Sequence, residues 1–217
     1  MPTFDDFIKI TPISSGYYHI NAAVVVNNNR IVKNGVQVLE TDPGTAASFL
    51  DTAYRELAMD YPKFFKMDKL SKLGMLAADV LLRDSGLPGN YAPEKTGIVL
   101  ANANASLDAD VKYMESVRAI PSPALFVYTL PNIVIGEISI RYGFKGENAF
   151  FIQPAFDAEW LYFYTQDLLQ HKHLDACICG WADIIEEEYK AAFFLVEKKA
   201  AAEAKPFTAE TIKQVYS

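Results

Sequence analysis

The segment formed by residues 138–170 most constrains the fold, because it joins two helices, a tight turn and a short strand. It reads as the end of a helix, a turn at Gly143 and Gly146, a buried strand over residues 149–152 and a helix that begins near Asp157. Glycine reaches positive φ at little cost, so the two glycines favour a sharp reversal. A strand that bends into a helix directs the helix N-terminus at the residue in the bend. The segment therefore predicts a site at this bend.

Apolar periodicity along the rest of the chain predicts strands that alternate with helices. The predicted strands are residues 8–13, 22–26, 31–39, 96–102, 176–180 and 191–196. The predicted helices are residues 45–59, 68–85, 106–117, 130–142 and 159–171, with a loop at 120–124 and a short tail after 197. Asn34-Gly35 within the run 31–39 predicts an N-terminal β-hairpin. Together these patterns predict one α/β domain over residues 1–217.

Charge and cysteine content exclude several classes of protein. A net charge of −7 argues against a general nucleic-acid binder, which needs a basic surface. Two cysteines give no disulfide framework and favour a reducing compartment. The chain opens without a basic and apolar leader, and no apolar run is long enough to cross a bilayer. We expect a cytoplasmic protein with no membrane span and no nucleic-acid partner.

Three short segments carry a resemblance to a known family. They are KMD at residues 66–68, RYGFKG at residues 141–146 and LDACICG at residues 174–180. In this order they resemble the β-ketoacyl synthase family of the thiolase fold, in which a Y-G-x-x-G turn leads to a strand that ends in a nucleophilic cysteine. The resemblance covers residues 66–196 and only the N-terminal half of the family. It implies a mixed β-sheet layered with α-helices, with the hairpin as an addition.

The resemblance places the family's nucleophile at Ala155, whose methyl group cannot be acylated. We call residues 153–157 the elbow: Gln153, Pro154, Ala155, Phe156 and Asp157. Asp157 is expected to cap the next helix. In the family, two histidines and a lysine from the second half complete the site, and the resemblance stops before that half. It therefore implies a catalytically silent relative, similar to the chain-length factors.

Gln153 bears on that comparison, because some chain-length factors carry a glutamine at the cysteine position. Here the glutamine falls two residues early. The alternative is a strand glutamine whose hydrogen bonds are made with the backbone.

Other residues offer alternative sites. Cys177 is a candidate nucleophile, although its apolar neighbours favour a buried, unreactive thiol. Cys177 and Cys179, with His171 and His173, are candidate metal ligands, but a helix end and a strand are poorly placed to share one ion. We expect no metal and no cofactor. The second functional hypothesis is an acyltransferase with a non-standard residue or a site completed by a partner chain.

Lys63, Lys66, Lys69 and Lys72 recur every three residues, which places them on neighbouring positions of one helical face. One reading is a solvated face with salt-bridge partners. The other reading is a docking strip for the acidic acyl carrier protein that members of the family serve.

The resemblance also implies a partner chain. In the family this half packs against the second half and a dimer mate, and monomers rarely expose large apolar patches. We expect a homodimer, or a heterodimer with a full-length ketosynthase, joined along the strand that enters the elbow. The predicted function is a partner or scaffold subunit in fatty-acid or polyketide-type biosynthesis.

Overall fold

The computed structural model describes residues 18–118, 120–172 and 174–217. The strand predicted at residues 8–13 lies outside these ranges. Within them, the chain forms one mixed eight-stranded sheet with helices on both faces. The other strands and helices predicted from periodicity are confirmed, most of them with shifted bounds, and the run 31–39 forms two strands.

The sheet runs in the order β3-β2-β1-β7-β6-β4-β5, and β8 pairs with β1 beside β2. Its strands are β1 His19–Asn27, β2 Arg30–Lys33, β3 Val36–Glu40, β4 Thr96–Asn102, β5 Asn148–Ile152, β6 Ala176–Ile185, β7 Glu188–Glu197 and β8 Lys205–Pro206. Only β5, β4 and β6 are mutually parallel, and the other pairs are antiparallel.

The helices cover both faces of the sheet. They are α1 Ala46–Glu56, α2 Lys69–Leu82, α3 Leu107–Val117, α4 Pro123–Val127, α5 Ile133–Tyr142, α6 Ala158–His171 and α7 Ala209–Tyr216. Helices α1, α2 and α5 pack on one face and form one core, while α6 and α7 pack on the other face and form a second. Strand β4 is buried throughout because both of its faces are covered. None of the helices in the described ranges is long and apolar enough to cross a membrane.

The predicted N-terminal hairpin is present and joins β2 to β3. Asn34 and Gly35 have φ values of 52° and 82°, the positive angles that a type I′ turn requires. The Asn34 side chain also accepts a hydrogen bond from the Ala23 N–H at 2.8 Å. The turn is therefore fixed both by its own residues and by β1.

The two glycines before β5 serve different purposes. Gly143 ends α5 with φ of 73°, as predicted, and its N–H donates to the Ser139 carbonyl at 2.8 Å. Gly146 does not need positive φ. A Cβ at this position would collide with the Thr96 carbonyl, so glycine is required for close approach of two backbones.

Three local predictions need correction. The loop predicted at residues 120–124 contains the start of α4. Strands β6 and β7 are longer than predicted and form one hairpin, whose turn uses Glu186 at a φ of 52° rather than glycine. The tail after residue 197 forms β8 and α7, which begins at the N-cap Thr208 and buries Ile212 completely.

Candidate functional site

The elbow lies at the carboxyl ends of the parallel strands, between β5 and α6. The Gln153 N–H donates to the Asn102 carbonyl at 2.8 Å and continues the β4–β5 ladder by one residue. The chain then bends through Pro154 and Ala155, which are both exposed. Asp157 accepts a hydrogen bond from the Trp160 N–H at 3.0 Å, which confirms the predicted helix cap. The N-terminus of α6 therefore begins directly after the bend.

A second loop, which follows β4, is fixed beside the elbow by two polar side chains. Asn102 is fully buried and makes two hydrogen bonds with the backbone of Ala105, at 2.8 and 3.0 Å. The Asp183 carboxylate on β6 accepts from the N–H groups of Ala103 and Asn104 and from the Asn104 amide. In open α/β sheets, ligands bind outside the carboxyl ends of the strands, where these two loops lie.

Aromatic rings fill the space beneath the elbow. The Phe156 ring stacks on Tyr216 of α7 with 3.7 Å between ring centroids, and it meets Trp181 edge-on at 6.1 Å. We call the space behind Phe156 the elbow pocket. It leaves no room for a water molecule, and it is lined by Ala101, Gln153, Phe156, Asp157, Trp160, Leu161, Gly180 and Trp181.

The two cysteines lie on β6, away from solvent. Both side chains are fully buried, and neither forms a disulfide. Burial raises the pKa of the Cys177 thiol well above its ordinary value and raises the pKa of Cys179 to about 12. Both groups are therefore neutral thiols near neutral pH, and a neutral thiol is a poor nucleophile. This geometry opposes Cys177 as the acyl acceptor.

The candidate metal ligands are not brought together. His171 is exposed at the end of α6 and contacts Asp167 at 2.9 Å, whereas Cys177 and Cys179 are buried in the sheet. His173 lies outside the described residues. Among the residues that the structure describes, no group of three metal-ligating side chains is arranged to hold an ion.

The four lysines do not share one helical face, contrary to the prediction from their spacing. Lys63 and Lys66 lie in a short 3₁₀ helix, Pro62–Lys66, whereas Lys69 and Lys72 lie in α2. Lys69 and Lys72 are mostly buried. Lys69 forms an ion pair of 2.7 Å with Asp108, and Lys72 forms one of 2.7 Å with Asp51.

The other two lysines are accessible to solvent. Lys66 is exposed, and the side chain of Lys63 is 42% exposed. A docking role for the strip stays a prediction. Its accessible part is now limited to Lys63 and Lys66, because the two lysines of α2 make internal contacts.

A buried carboxylate that no sequence motif predicts lies near Lys63. Glu137 on α5 is 5% exposed, its Oε2 lies 2.6 Å from the Lys63 Nζ, and its Oε1 accepts from the Tyr128 hydroxyl at 3.3 Å. Burial, reinforced by Glu137, raises the pKa of Tyr128. The apolar run around Glu137 indicates a buried helix face, but its lysine partner lies in a distant part of the sequence.

The family of the chain follows from a comparison with known sequence families. The profile described as β-ketoacyl synthase, N-terminal domain, matches residues 44–210, which is most of the chain. This chain belongs to the β-ketoacyl synthase family. No curated protein sequence matches it.

Solved structures share the fold of this β-ketoacyl synthase domain. The ishigamide ketosynthase/chain length factor has a TM-score of 0.61 at 18% identity, over 88% of this chain and 64% of that one. The ketosynthase AntDE, which was solved in complex with its type II polyketide synthase acyl-carrier protein AntF, has a TM-score of 0.58 at 13% identity. The match covers 83% of this chain and 62% of that one. The domain thus spans less than two thirds of these two chains.

A third solved structure matches over most of the length of both chains. The complex of the ketosynthase ApeO with its chain length factor ApeC from Xenorhabdus doucetiae has a TM-score of 0.53 at 11% identity. The match covers 91% of this chain and 89% of that chain. At these identities the comparisons establish the thiolase-like fold predicted from the sequence, and they establish the fold alone.

The β-ketoacyl synthase domain exposes apolar side chains on α3, on α4 and on the loops that follow each of these helices. Tyr113 and Phe126 join α3 to α4 with ring centroids 5.3 Å apart. The exposed apolar side chains of these segments are Leu107, Val111, Met114, Val117, Ile120, Phe126, Val127 and Leu130. We call this set the α3–α4 surface. Strand β5 also has a neighbouring strand on one side only within the described sheet.

Proposed function

We propose that this chain is a catalytically silent β-ketoacyl synthase-like subunit that pairs with a full-length ketosynthase in fatty-acid or polyketide-type biosynthesis. The observation that carries the proposal is the chemistry of the elbow. Its residues supply a methyl group, an amide, a proline ring, a phenyl ring and a helix-capping carboxylate. None of these is a thiol or hydroxyl that accepts an acyl group. Both cysteines of the chain lie buried elsewhere.

The extent of the structural matches supports pairing. The chain spans 64% of the ishigamide ketosynthase/chain length factor, yet 89% of the matched chain in the complex of ApeO with ApeC. A chain of similar extent is thus one component of a ketosynthase–chain length factor complex. By analogy, the present chain is suited to be one component of such a pair.

The surface of the chain supports the same proposal. Soluble monomers rarely expose contiguous apolar patches of large area, and the α3–α4 surface exposes apolar side chains on two adjacent helices. The open edge of β5 offers unpaired backbone groups to a further strand. The resemblance predicts the dimer contact along this strand. We therefore place the partner against the edge of β5 and the α3–α4 surface.

The carrier-docking part of the proposal rests on fewer residues than the sequence suggested. Lys63 and Lys66 are both exposed, and Lys63 also pairs with Glu137. Complementary charges mainly raise the association rate and favour the correct partner. Two exposed lysines would therefore speed the association of an acidic carrier protein with this surface.

Intact-mass spectrometry tests the absence of catalysis. The chain is incubated with an octanoyl-acyl carrier protein, alone and with a full-length ketosynthase. We expect an acyl adduct on the ketosynthase and none on this chain. The Cys177→Ser and Cys179→Ser variants are the matched controls. An adduct on the wild-type chain that either variant abolishes would instead support the acyltransferase hypothesis.

Pairing is tested separately by mass photometry of the mixed proteins. A mass equal to the sum of both chains, or a multiple of it, is the expected result. Separate masses for the two proteins at micromolar concentration would contradict the proposal.

A further inference from the structure

A polar cavity lies at the end of the sheet opposite the elbow. It has a volume of about 480 Å³, and its floor contains Ala22 of β1 and Leu195 of β7, which pair across the two strands. Its walls come from β2, from the loop that follows α2 and from the segment that follows β7. Glu197 lines this cavity and pairs with Ala176, the first residue of β6. We call it the Glu197 cavity, and its size suits a small-molecule ligand.

Glu197 gives this cavity a negative charge that is mostly shielded from water. The residue is 4% exposed, and its carboxylate accepts hydrogen bonds from the Asn21 amide and the Tyr91 hydroxyl. Burial, together with the charge of Glu197, raises the pKa of Tyr91 to about 12, so the hydroxyl stays protonated. Both donors are neutral and supply no positive charge. Because a buried charge is costly without an opposite charge beside it, this end of the cavity suits a cationic group.

A β-bulge fixes the Asn21 side chain beside the carboxylate. The pairing of β1 with β7 shifts after Ile20, so that Asn21 is the extra residue, and bulges commonly redirect a side chain. The Asn21 Nδ2 donates to the Glu197 carboxylate and, at 2.8 Å, to the Lys199 carbonyl. Its Oδ1 accepts from the Ala201 N–H at 2.9 Å. Strand β1 lies outside residues 44–210, so the family match does not cover this arrangement.

Lys33 of β2 places a positive charge at another wall of the cavity. Its Nζ donates to the Arg83 carbonyl at 2.6 Å. Burial lowers the pKa of Lys33, and the charge of Asp84 opposes this shift. The pKa is lowered because a buried ammonium group loses part of its hydration. An anionic group beside Lys33 would stabilise its charged form, so this part of the cavity suits a carboxylate.

The two charges project from one face of the sheet but lie far apart. On β1, Lys33 pairs with Val24 and Glu197 pairs with His19, and directly paired residues project from the same face. The bulge lies between His19 and Val24, so both side chains lie on the face that α2 covers. At about 3.3 Å per residue, the two pairs are about 13 Å apart along β1. An α-amino acid, with its charges on neighbouring atoms, is too short to contact both.

We propose that the Glu197 cavity binds a small zwitterion in which an aliphatic chain separates an ammonium group from a carboxylate. The ammonium group donates to Glu197, the carboxylate accepts from Lys33, and the aliphatic chain lies over Ala22 and Leu195. Both polar contacts are charge-assisted hydrogen bonds, which are the stronger kind in proteins. The ligand is a free ω-amino acid, and binding is non-covalent. The proposal goes beyond pairing with a ketosynthase and needs neither the elbow nor a partner chain.

Isothermal titration calorimetry of the full chain with 6-aminohexanoic acid tests the site. Three matched compounds are the controls: hexanoic acid lacks the ammonium group, hexylamine lacks the carboxylate, and norleucine is an isomer with its ammonium group next to the carboxylate. We expect 6-aminohexanoic acid to bind about tenfold or more tightly than each control, because each control loses a charge-assisted contact. Norleucine that binds equally well, or no binding of 6-aminohexanoic acid at millimolar concentration, would overturn the proposal.

Two variants assign the two ends of the ligand. Glu197→Gln keeps the length of the side chain and removes its charge, so the preference for 6-aminohexanoic acid over hexanoic acid should disappear. Lys33→Gln should remove the preference over hexylamine in the same way. Each variant should bind 6-aminohexanoic acid about tenfold or more weakly than the wild-type chain. Lys198→Ala is the control, because Lys198 is exposed and pairs with Asp175.

The outcomes of the variant experiment are distinct. Lys198→Ala should bind 6-aminohexanoic acid like the wild-type chain. If either charge-removing variant is folded by circular dichroism and also binds like the wild-type chain, the proposal is wrong. If Glu197→Gln does not fold, Lys33→Gln and the comparison with norleucine on the wild-type chain decide the question. Because no ketosynthase is present, none of these results depends on whether the chain pairs with one.

Discussion

The Nζ of Lys63 lies 2.6 Å from the Oε2 of Glu137, so that a half-exposed lysine neutralises a carboxylate that is 5% exposed. The pair joins the 3₁₀ helix before α2 to α5. Lys63 was singled out as a docking residue, but this contact gives it a structural role. Lys66 lies in the same short helix and is exposed. A comparison of variants at Lys63 and Lys66 therefore separates the role of Lys63 in stability from its role in docking.

Lys63→Ala is expected to destabilise the fold by about 1–3 kcal/mol, because it leaves a buried carboxylate without its cation. Lys66→Ala is the matched control and should change stability by less than about 0.5 kcal/mol. Urea unfolding followed by circular dichroism measures both. Equal stability of the two variants would show that Glu137 is adequately solvated without Lys63.

Thiol reactivity is the second prediction. Burial raises the pKa of Cys177 and Cys179, so at about pH 8 the reactive thiolate is scarce and the sulfur atoms are shielded. Iodoacetamide should leave the native chain unmodified and should add two groups after unfolding in urea. Intact mass spectrometry counts the adducts. Rapid modification of one cysteine in the native chain would mean that β6 opens locally.

Much of the fold was readable from the sequence, because the signals were local. Periodicity placed β4 at its observed bounds, Asn34-Gly35 predicted a turn with two positive φ angles, and Asp157 was recognised as a helix cap. Each of these depends on a few neighbouring residues. The β6–β7 hairpin was missed because its turn uses Glu186 with positive φ, and the usual turn signals are glycine and asparagine.

Less of the candidate site could be predicted from the sequence, because its contacts join segments that are distant along the chain. The Phe156–Tyr216 stack and the contacts of Asp183 with Ala103 and Asn104 link residues that are tens of positions apart. Even spacing suggested that Lys69 and Lys72 share a face with Lys63 and Lys66. The chain changes from a 3₁₀ helix to α2 between them, and this change is set by the Asp68 cap and by packing.

The third prediction concerns acid stability. Burial alone would raise the pKa of Asp108, but the ammonium groups of Lys69 and Lys112, at 2.7 and 2.9 Å, make the net shift a lowering. A lowered folded-state pKa contributes stability above the unfolded pKa, and that stability is lost as pH falls through the folded value. Asp108→Asn should therefore cost about 1–3 kcal/mol at neutral pH.

The difference between Asp108→Asn and the wild-type chain should begin to shrink near pH 4, where Asp108 becomes protonated in the unfolded chain, and should keep shrinking until the pH falls below the lowered pKa of the folded chain. Urea midpoints at a series of pH values measure it. A difference that stays constant with pH would show that hydrogen bonding by Asp108, rather than its charge, stabilises α3.

The fourth prediction tests the proposed interface. Met114 on α3 is 61% exposed, so Met114→Glu should not disturb the fold but should place a charge in an apolar contact. We expect the affinity for a ketosynthase partner to fall about tenfold or more. Glu115→Ala, at the next and also exposed position, is the control and should leave affinity unchanged. Isothermal titration calorimetry measures both, and equal affinities would remove α3 from the interface.

The last prediction is that alanine substitutions at Gly180 and Gly136 change stability in opposite directions, because a Cβ has no room at Gly180 and open space at Gly136. A Cβ at Gly180 would collide with the Ala192 carbonyl and press on the Phe193 backbone at 3.0 Å, so neither neighbour is a flexible side-chain end. Gly180→Ala should therefore cost more than about 2 kcal/mol of stability, since it forces β6 away from β7. At Gly136, inside α5, nothing lies within 4 Å of the added Cβ. Gly136→Ala should stabilise the helix by about 0.5–1 kcal/mol, and thermal unfolding should shift the two variants in opposite directions.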